Sequence, residues 1–427
     1  MPTAWGPLTD EQLEERRIVG INAETVTHTS ANDIPGHYGP QQDDTWDLDR
    51  FTEQLKVDFH QNEPYDAVFS LVGVDASIAN AFRRILVAEV PTLAIEDVFV
   101  FNNTSIIQDE VLAHRLGLIP LTGGEEGLQW MRWFRKPPPK DDYAAQATFE
   151  EEGHDPSESV PSDYNTVVMT LDVECRWATT ELDGRDGKAL AKAGSTDPEE
   201  RYVNTNVFAR DLVFEPQGGQ EKLFAGEDRI RPTNPDILIA KLRPGQKIHV
   251  RVHCIKGIGA DHAKFSPVAT ASYRLLPKIE IKEPILDADA KKFARCFPRG
   301  VIEIVDDAKT GRKKAVVKDT MKDTVSRECL RHPEFVDKVK LGRYRDHFIF
   351  SVESTGQIRS DELFLDSVRL LKAKSERFKR HLDDLEEGSS ATQITLAKAL
   401  EHLINTATFA DGRSAIERGA SRHDTPH

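Results

Sequence analysis

Near its end the chain carries Phe364, Val368, Leu371, Ser375, Phe378, Leu382 and Leu385, spaced by 4, 3, 4, 3, 4 and 3 residues. That spacing predicts one helix with an apolar seam about three heptads long, interrupted by a single serine, and such a seam requires a partner helix. Asp361 is a fair N-cap for it, and Glu376 and Arg380 add an i, i+4 pair on the wet side. Far upstream, Ile78, Ala81, Phe82, Ile85 and Leu86 fall at i, i+3, i+4, i+7 and i+8 behind Asp75 or Ser77 as cap. They predict a second amphipathic helix that ends near Pro91. Two packing helices so far apart either pair with another chain or meet inside one core.

The intervening chain is rich in strand patterns. Leu55 to His60 alternates as a half-buried strand should, and Ala67 to Val72 continues as a second strand. A strand around Asp97 to Phe101 precedes a short helix over Ile107 to Leu116. Asp109 and Glu110 stand in its first turn, His114 and Arg115 in its last, and Gly117 beyond it. Val167 to Val173 is a further strand. In Lys247 to Cys254, Ile248, Val250, Val252 and Cys254 alternate with Lys247, His249, Arg251 and His253. The first 45 residues are expected to form an extended arm around the apolar run Ile18 to Ile21. Pro137-Pro138-Pro139 leads into an acidic, weakly hydrophobic stretch, Lys140 to Asp163, expected to be a mobile insertion. The basic run Lys309, Arg312, Lys313, Lys314 and Lys318 marks a hairpin turn in a small inserted module, and residues 388–427 read as a partly disordered tail.

Chemistry is scarce. Lysine and arginine number 56 against 71 acidic residues, a formal charge of −15, which opposes autonomous nucleic-acid binding through phosphates. No Gly-Lys-Ser/Thr occurs to cradle a nucleoside phosphate, and Gly257-Ile258-Gly259 is followed by His262 where the dinucleotide fingerprint needs glycine. Gly-x-Ser-x-Gly and His-Glu-x-x-His are also absent from the sequence. The four cysteines, Cys175, Cys254, Cys296 and Cys329, form no Cys-x-x-Cys pair, so neither a disulfide framework nor a zinc ribbon is expected. No window of about 18 apolar residues predicts a membrane span. Two metal-binding alternatives remain as patterns: Asp287-x-Asp289, and a set of His249, His253 and Cys254 that would make the chain a metal enzyme. The residue reading stops at an assembly or scaffold subunit without catalytic residues.

Particular runs carry more. Asp75 to Leu86 reads Asp-Ala-Ser-Ile-Ala-Asn-Ala-Phe-Arg-Arg-Ile-Leu and continues through Glu89-Val90-Pro91-Thr92 and Ala94-Ile95-Glu96. Together with Asn102-Asn103-Thr104-Ser105 and Val111 to Leu121, it resembles the signature of the alpha-like subunits of cellular RNA polymerases. The blocks His262 to Pro277 and Asp346 to Gly356 are similar to the branch of that family shared by eukaryotic RNA polymerases I and III.

The resemblance covers about Val19 to Leu385. It implies an α+β fold with a discontinuous dimerisation domain, a sheet plus two packing helices, drawn from 46–96, 265–284 and 335–387. A β-rich domain (97–264) and a small ferredoxin-like module (285–334) are inserted. It further implies a non-catalytic platform subunit in the nucleus that pairs with a smaller alpha-like subunit and nucleates association of the two large catalytic subunits. Transcription of rRNA, tRNA and 5S RNA would follow, with the corresponding subunit of another nuclear polymerase as the alternative. Under that reading Ile78, Phe82, Ile85, Leu86, Phe364, Val368, Leu371, Phe378, Leu382 and Leu385 face the smaller partner. Arg83, Arg84, His114 and Arg115 are candidate contacts to a large subunit or to its small zinc-binding neighbours. Relatives hold an iron–sulfur cluster or zinc on clustered cysteines that this sequence lacks, so neither metal nor cofactor is expected.

Overall fold

The chain is described by a computed structural model, which covers residues 17–29, 47–138, 156–306 and 311–387. Most of the N-terminal arm, residues 139–155 of the acidic stretch, the hairpin tip with Lys309, and the tail from 388 lie outside the described residues. In chain order the strands used below are β1 (Ile18–Ile21), β2 (Val26–Thr27), β3 (Lys56–Asn62), β4 (Asp66–Val72), β5 (Thr92–Asn103) and β6 (Thr166–Glu174). They continue with β7 (Val213–Glu215), β8 (Lys247–Gly257), β9 (Val268–Ile281), β10 (Ile302–Asp306), β11 (Lys313–Val317) and β12 (Val339–Ser354). The main helices are α1 (Ala76–Ala88), α2 (Asp109–Gly117), α3 (Asp287–Arg295) and α4 (Ser360–Glu387).

The chain divides into two compact units. One joins the residues up to Arg83 with Thr270–Glu353, and the other joins Arg84–Ala269 with the chain from Ser354. In the first unit a six-stranded sheet runs β2-β1-β12-β4-β3, with β9 also on β12. The sixteen-residue β12 is long enough to pair with β1 near its start (Tyr344 opposite Ile18) and with β4 further on (Phe350 opposite Phe69). Phe69 and Phe350 are fully buried and stack with ring centroids 5.3 Å apart, an aromatic cross-strand pair of the kind that fixes register. The strand expected to be half-buried, β3, is instead exposed almost throughout. It is an edge strand with β4 as its single strand neighbour among the described residues, and Val57 and Phe59 remain about 40% exposed.

The inserted module of this unit has, among the described residues, helix α3, the β10–β11 hairpin and short 3-10 turns. Phe293 anchors its core, with Phe297 at 5.0 Å and Phe335 at 5.3 Å. Cys296 and Cys329 are buried in the same cluster. Burial pushes the Cys329 thiol up to about 12, which makes it a packing group and not a nucleophile.

Ser70, 2% exposed on β4, sits between two imidazoles: His60 Nε2 at 2.7 Å and His347 Nε2 at 2.8 Å. The hydroxyl can donate to one ring nitrogen and accept from the other, so Ser70 ties the two rings together across the sheet. Burial, ahead of the opposing pull of Asp346, holds His347 below the ordinary histidine range. The unfolded chain therefore takes up a proton near pH ~6.5 that the folded chain resists, and stability falls as pH drops through that value. Thermal unfolding should show a lower midpoint at pH 5.5 than at 7.5. His347→Gln should flatten this dependence, and an unchanged slope in the variant would remove His347 as its source.

In the second unit an antiparallel sheet runs β7-β6-β8-β5. The period-two pattern of β8 is realised: Ile248, Val250, Val252 and Cys254 are fully buried in the core, beside Val167, Met169 and Leu171 of β6. The acidic stretch is fixed at its C-terminal end, contrary to the expectation of mobility through Asp163. Arg135 pairs with Glu158 at 3.3 Å, and the Gln220 side-chain amide donates to the Asp163 carbonyl at 2.7 Å. The division also differs from the expected domain scheme, because it runs through α1 and groups α4 with the β-rich unit. The physical reason lies in the segment before α4. Gln357, 8% exposed, donates its amide to the carbonyls of Leu93 (3.1 Å) and Leu121 (3.2 Å), and Thr355 donates its backbone N–H to the Pro267 carbonyl at 2.8 Å.

Candidate functional site

Helix α4 is a 28-residue run of good helix formers with Asp361 and Glu362 in its first turn, where the helix dipole favours carboxylates. Gly356 sets its entry: at φ +93° the backbone lies where side-chain-bearing residues are rare, and a Cβ there would come within 3.2 Å of Thr233. The first turns are buried by the chain itself, with Leu363 and Ser367 at 0% exposure and Phe364 at 6%. The Ser367 hydroxyl donates to the Phe364 carbonyl at 2.6 Å.

Beyond that point the apolar seam emerges into solvent. Val368 is 40% exposed, Phe378 54% and Leu382 46%, and Leu371 is half-buried. From Val368 to Leu382 this stripe is about 20 Å long at 1.5 Å per residue. Large apolar residues repeating at heptad spacing give the helix a surface of the shape by which one helix packs along another. The side chain of Leu385 lies outside the described residues.

Two ion pairs set the pose of the helix. Lys374 Nζ lies 2.9 and 2.8 Å from the two carboxylate oxygens of Glu89, and Arg369 lies 3.5 Å from Glu125 Oε1 while also bonding Asp366 at 2.8 Å. Exposed pairs of this kind contribute ~0–1 kcal/mol each, enough to bias a pose and too little to build a fold.

Helix α1 is covered more completely by the chain itself. Asp75 caps it, accepting the Ser77 backbone N–H at 2.8 Å, and the Ser77 side chain first and its backbone N–H second hold the Asp75 carboxyl below its usual range. Ile78 is half-buried, but Phe82 is 8% exposed, Ile85 2% and Leu86 0%. These three side chains are already out of water in a single chain. In the single chain they are packed in this protein's own core.

The candidate large-subunit contacts also separate. The Arg83 guanidinium is turned back onto Asn80 Oδ1 (3.0 and 2.8 Å), and Arg115 donates to the carbonyls of Ile239 (3.1 Å) and Leu238 (2.7 Å), tying α2 to the neighbouring strand. Arg84 and His114 are exposed, and among the described residues Arg84 has no ion pair. The metal set His249, His253 and Cys254 is not brought together, because strand alternation puts Cys254 into the core and both histidines on the outer face. There His253 packs on Phe99 (4.7 Å) and His249 on Phe101 (5.0 Å). Asp287 accepts from Arg312 at 2.6 Å, which places that carboxylate in an ion pair. Among the described residues no group of three or more histidine, cysteine or acidic side chains could hold a metal ion.

Sequence reasoning missed Gln357, Glu89 and Lys374. Glu89 and Lys374 are nearly three hundred positions apart, and no periodicity links them. Gln357 follows directly on a motif that was singled out, but a lone polar residue after a turn carries no signal of burial.

Residues 68–375 match the family model described as the RNA polymerase Rpb3/Rpb11 dimerisation domain. The protein named DNA-directed RNA polymerases I and III subunit RPAC1 in Saccharomyces cerevisiae is 48% identical over 362 residues, 85% of this chain and 97% of the relative. Its Mus musculus namesake is 44% identical over 376 residues, 88% of this chain and 97% of the relative. DNA-directed RNA polymerase II subunit rpb3 of Dictyostelium discoideum is 27% identical over 334 residues, 77% of this chain and 94% of the relative.

Proposed function

The chain belongs to the RNA polymerase Rpb3/Rpb11 dimerisation family, and on that premise we infer that it is the non-catalytic, alpha-like assembly subunit common to RNA polymerases I and III. The observation that carries the choice of polymerase is the identity gap: 48% to a subunit of polymerases I and III against 27% to one of polymerase II. The work of such a subunit is assembly within a nuclear polymerase complex. The exposed stripe of α4 supports a more specific reading: Val368, Leu371, Phe378 and Leu382 receive a smaller alpha-like subunit, and the resulting pair recruits the two large catalytic subunits. Fully burying each such side chain contributes ~1.5–3 kcal/mol before ordering costs. Residence in both nucleolus and nucleoplasm follows from service to two polymerases.

Affinity purification of the tagged full chain, with subunits identified by mass, tests this. The large subunits of both polymerase I and polymerase III are expected, and recovery of polymerase II subunits alone would reassign the chain within its family. Arg84 is the exposed cation of the α1 signature. Arg84→Glu is expected to reduce large-subunit recovery about tenfold while the alpha-like partner still co-elutes, since reversing an interfacial charge costs on the order of 1–2 kcal/mol. Unchanged recovery would return Arg84 to the role of a solvated charge.

A further inference from the structure

The stripe on α4 is flanked by lysines and a histidine. With Val368, Leu371, Phe378 and Leu382 as the seam, the flanking positions on one side are Lys372 and Lys379, and on the other Lys374 and His381. In paired helices these flanking positions set partner choice, because they face their counterparts across the seam. The two flanks are not equivalent here. Lys374 is held by both oxygens of Glu89, so its charge is met within the chain. Lys372 is 76% exposed with only Glu376 at 3.8 Å, and Lys379 is exposed with no ion pair among the described residues.

We propose that Lys372 and Lys379 make this stripe select a partner helix with carboxylates at its flanking positions, and reject a second copy of the same chain. The inference rests on the reading of the stripe as the seat of the alpha-like subunit, and it names the chemistry that subunit must present. Two copies of α4 laid seam to seam in antiparallel sense would set Lys372 and Lys379 of one copy against the same lysines of the other. The apolar seam alone is blind to the difference between self and partner. The exposed lysines supply that discrimination and favour a heterodimer over a homodimer.

The test co-expresses the full chain with the smaller alpha-like subunit, identified by mass, and compares the unaltered chain, Phe378→Asp, and the double variant Lys372→Glu with Lys379→Glu. The double variant is expected to bind the partner roughly tenfold more weakly at low salt. Raising salt from about 0.05 to 0.5 M should weaken the unaltered complex and strengthen the double variant's, because screening removes attraction in one and repulsion in the other. A salt response of opposite sign separates a charge effect from damage to the helix. If the double variant binds like the unaltered chain while Phe378→Asp does not bind, the charge inference fails and the seat stands. If Phe378→Asp also binds normally, the seat is misplaced and both readings fall.

Discussion

Phe378→Asp and Leu382→Asp, made singly in the full chain, are expected to weaken association with the smaller alpha-like subunit at least a hundredfold while leaving the isolated chain as stable as before. Each side chain is about half exposed in the single chain, at 54% and 46%. Little of its transfer free energy is therefore invested in folding, and a surface substitution of this kind shifts stability by ~0.5 kcal/mol or less. In the complex the balance inverts. The lost burial is worth ~1.5–3 kcal/mol, and the aspartate adds the cost of a carboxylate pressed against an apolar partner face. Binding should be measured by titration and stability by denaturant unfolding on the same preparation. A parallel loss in both would mean that the stripe is part of this chain's own core, and unchanged binding would mean that the partner docks elsewhere.

The contrast between α4 and α1 shows how far periodicity can be read. Both helices were legible: Ala76–Ala88 begins at the Asp75 cap and ends before Pro91, and Ser360–Glu387 carries the predicted seam. What covers each face was not, because an apolar stripe states that a face must be dry and says nothing about whether this chain or another supplies the cover. Strand alternation suffered the same limit in reverse. In β8 it predicted which side chains are inside, since two neighbouring strands and a core fix that face. In β3 a similar alternation sits on a sheet edge, and neither face is buried. The placement of α4 with the β-rich unit depends on the Gln357 amide bridging Leu93 and Leu121, contacts more than two hundred residues apart in sequence. Such a tie has no period and no motif, so only the folded chain discloses it. The signature runs fared better because they record the joint demand of cap, helix and following strand, and a family match does not require each residue's role to be deduced.

Phe82→Asp is expected to destabilise the isolated chain by several kcal/mol. Phe82 is 8% exposed, one helical turn from Ile85 and Leu86 at 2% and 0%, so the substituted carboxylate would enter a region from which water is already excluded. Removing the ring forfeits ~3–5 kcal/mol by analogy with aromatic truncations in cores, and an ionised group left there without a cation is either driven to protonate or expelled by local unfolding. Loss of partner binding in this variant would therefore report collapse of the platform and carry no information about the interface. The informative comparison is with Phe82→Leu, which keeps the site apolar and forgoes only part of the packing. Its unfolding midpoint should lie between those of the unaltered chain and Phe82→Asp, and its affinity for the alpha-like subunit should match the unaltered chain's. If Phe82→Leu instead left stability intact and lowered affinity alone, the α1 face would have to open and pack against the partner, and its burial in the single chain would be a resting state of the helix.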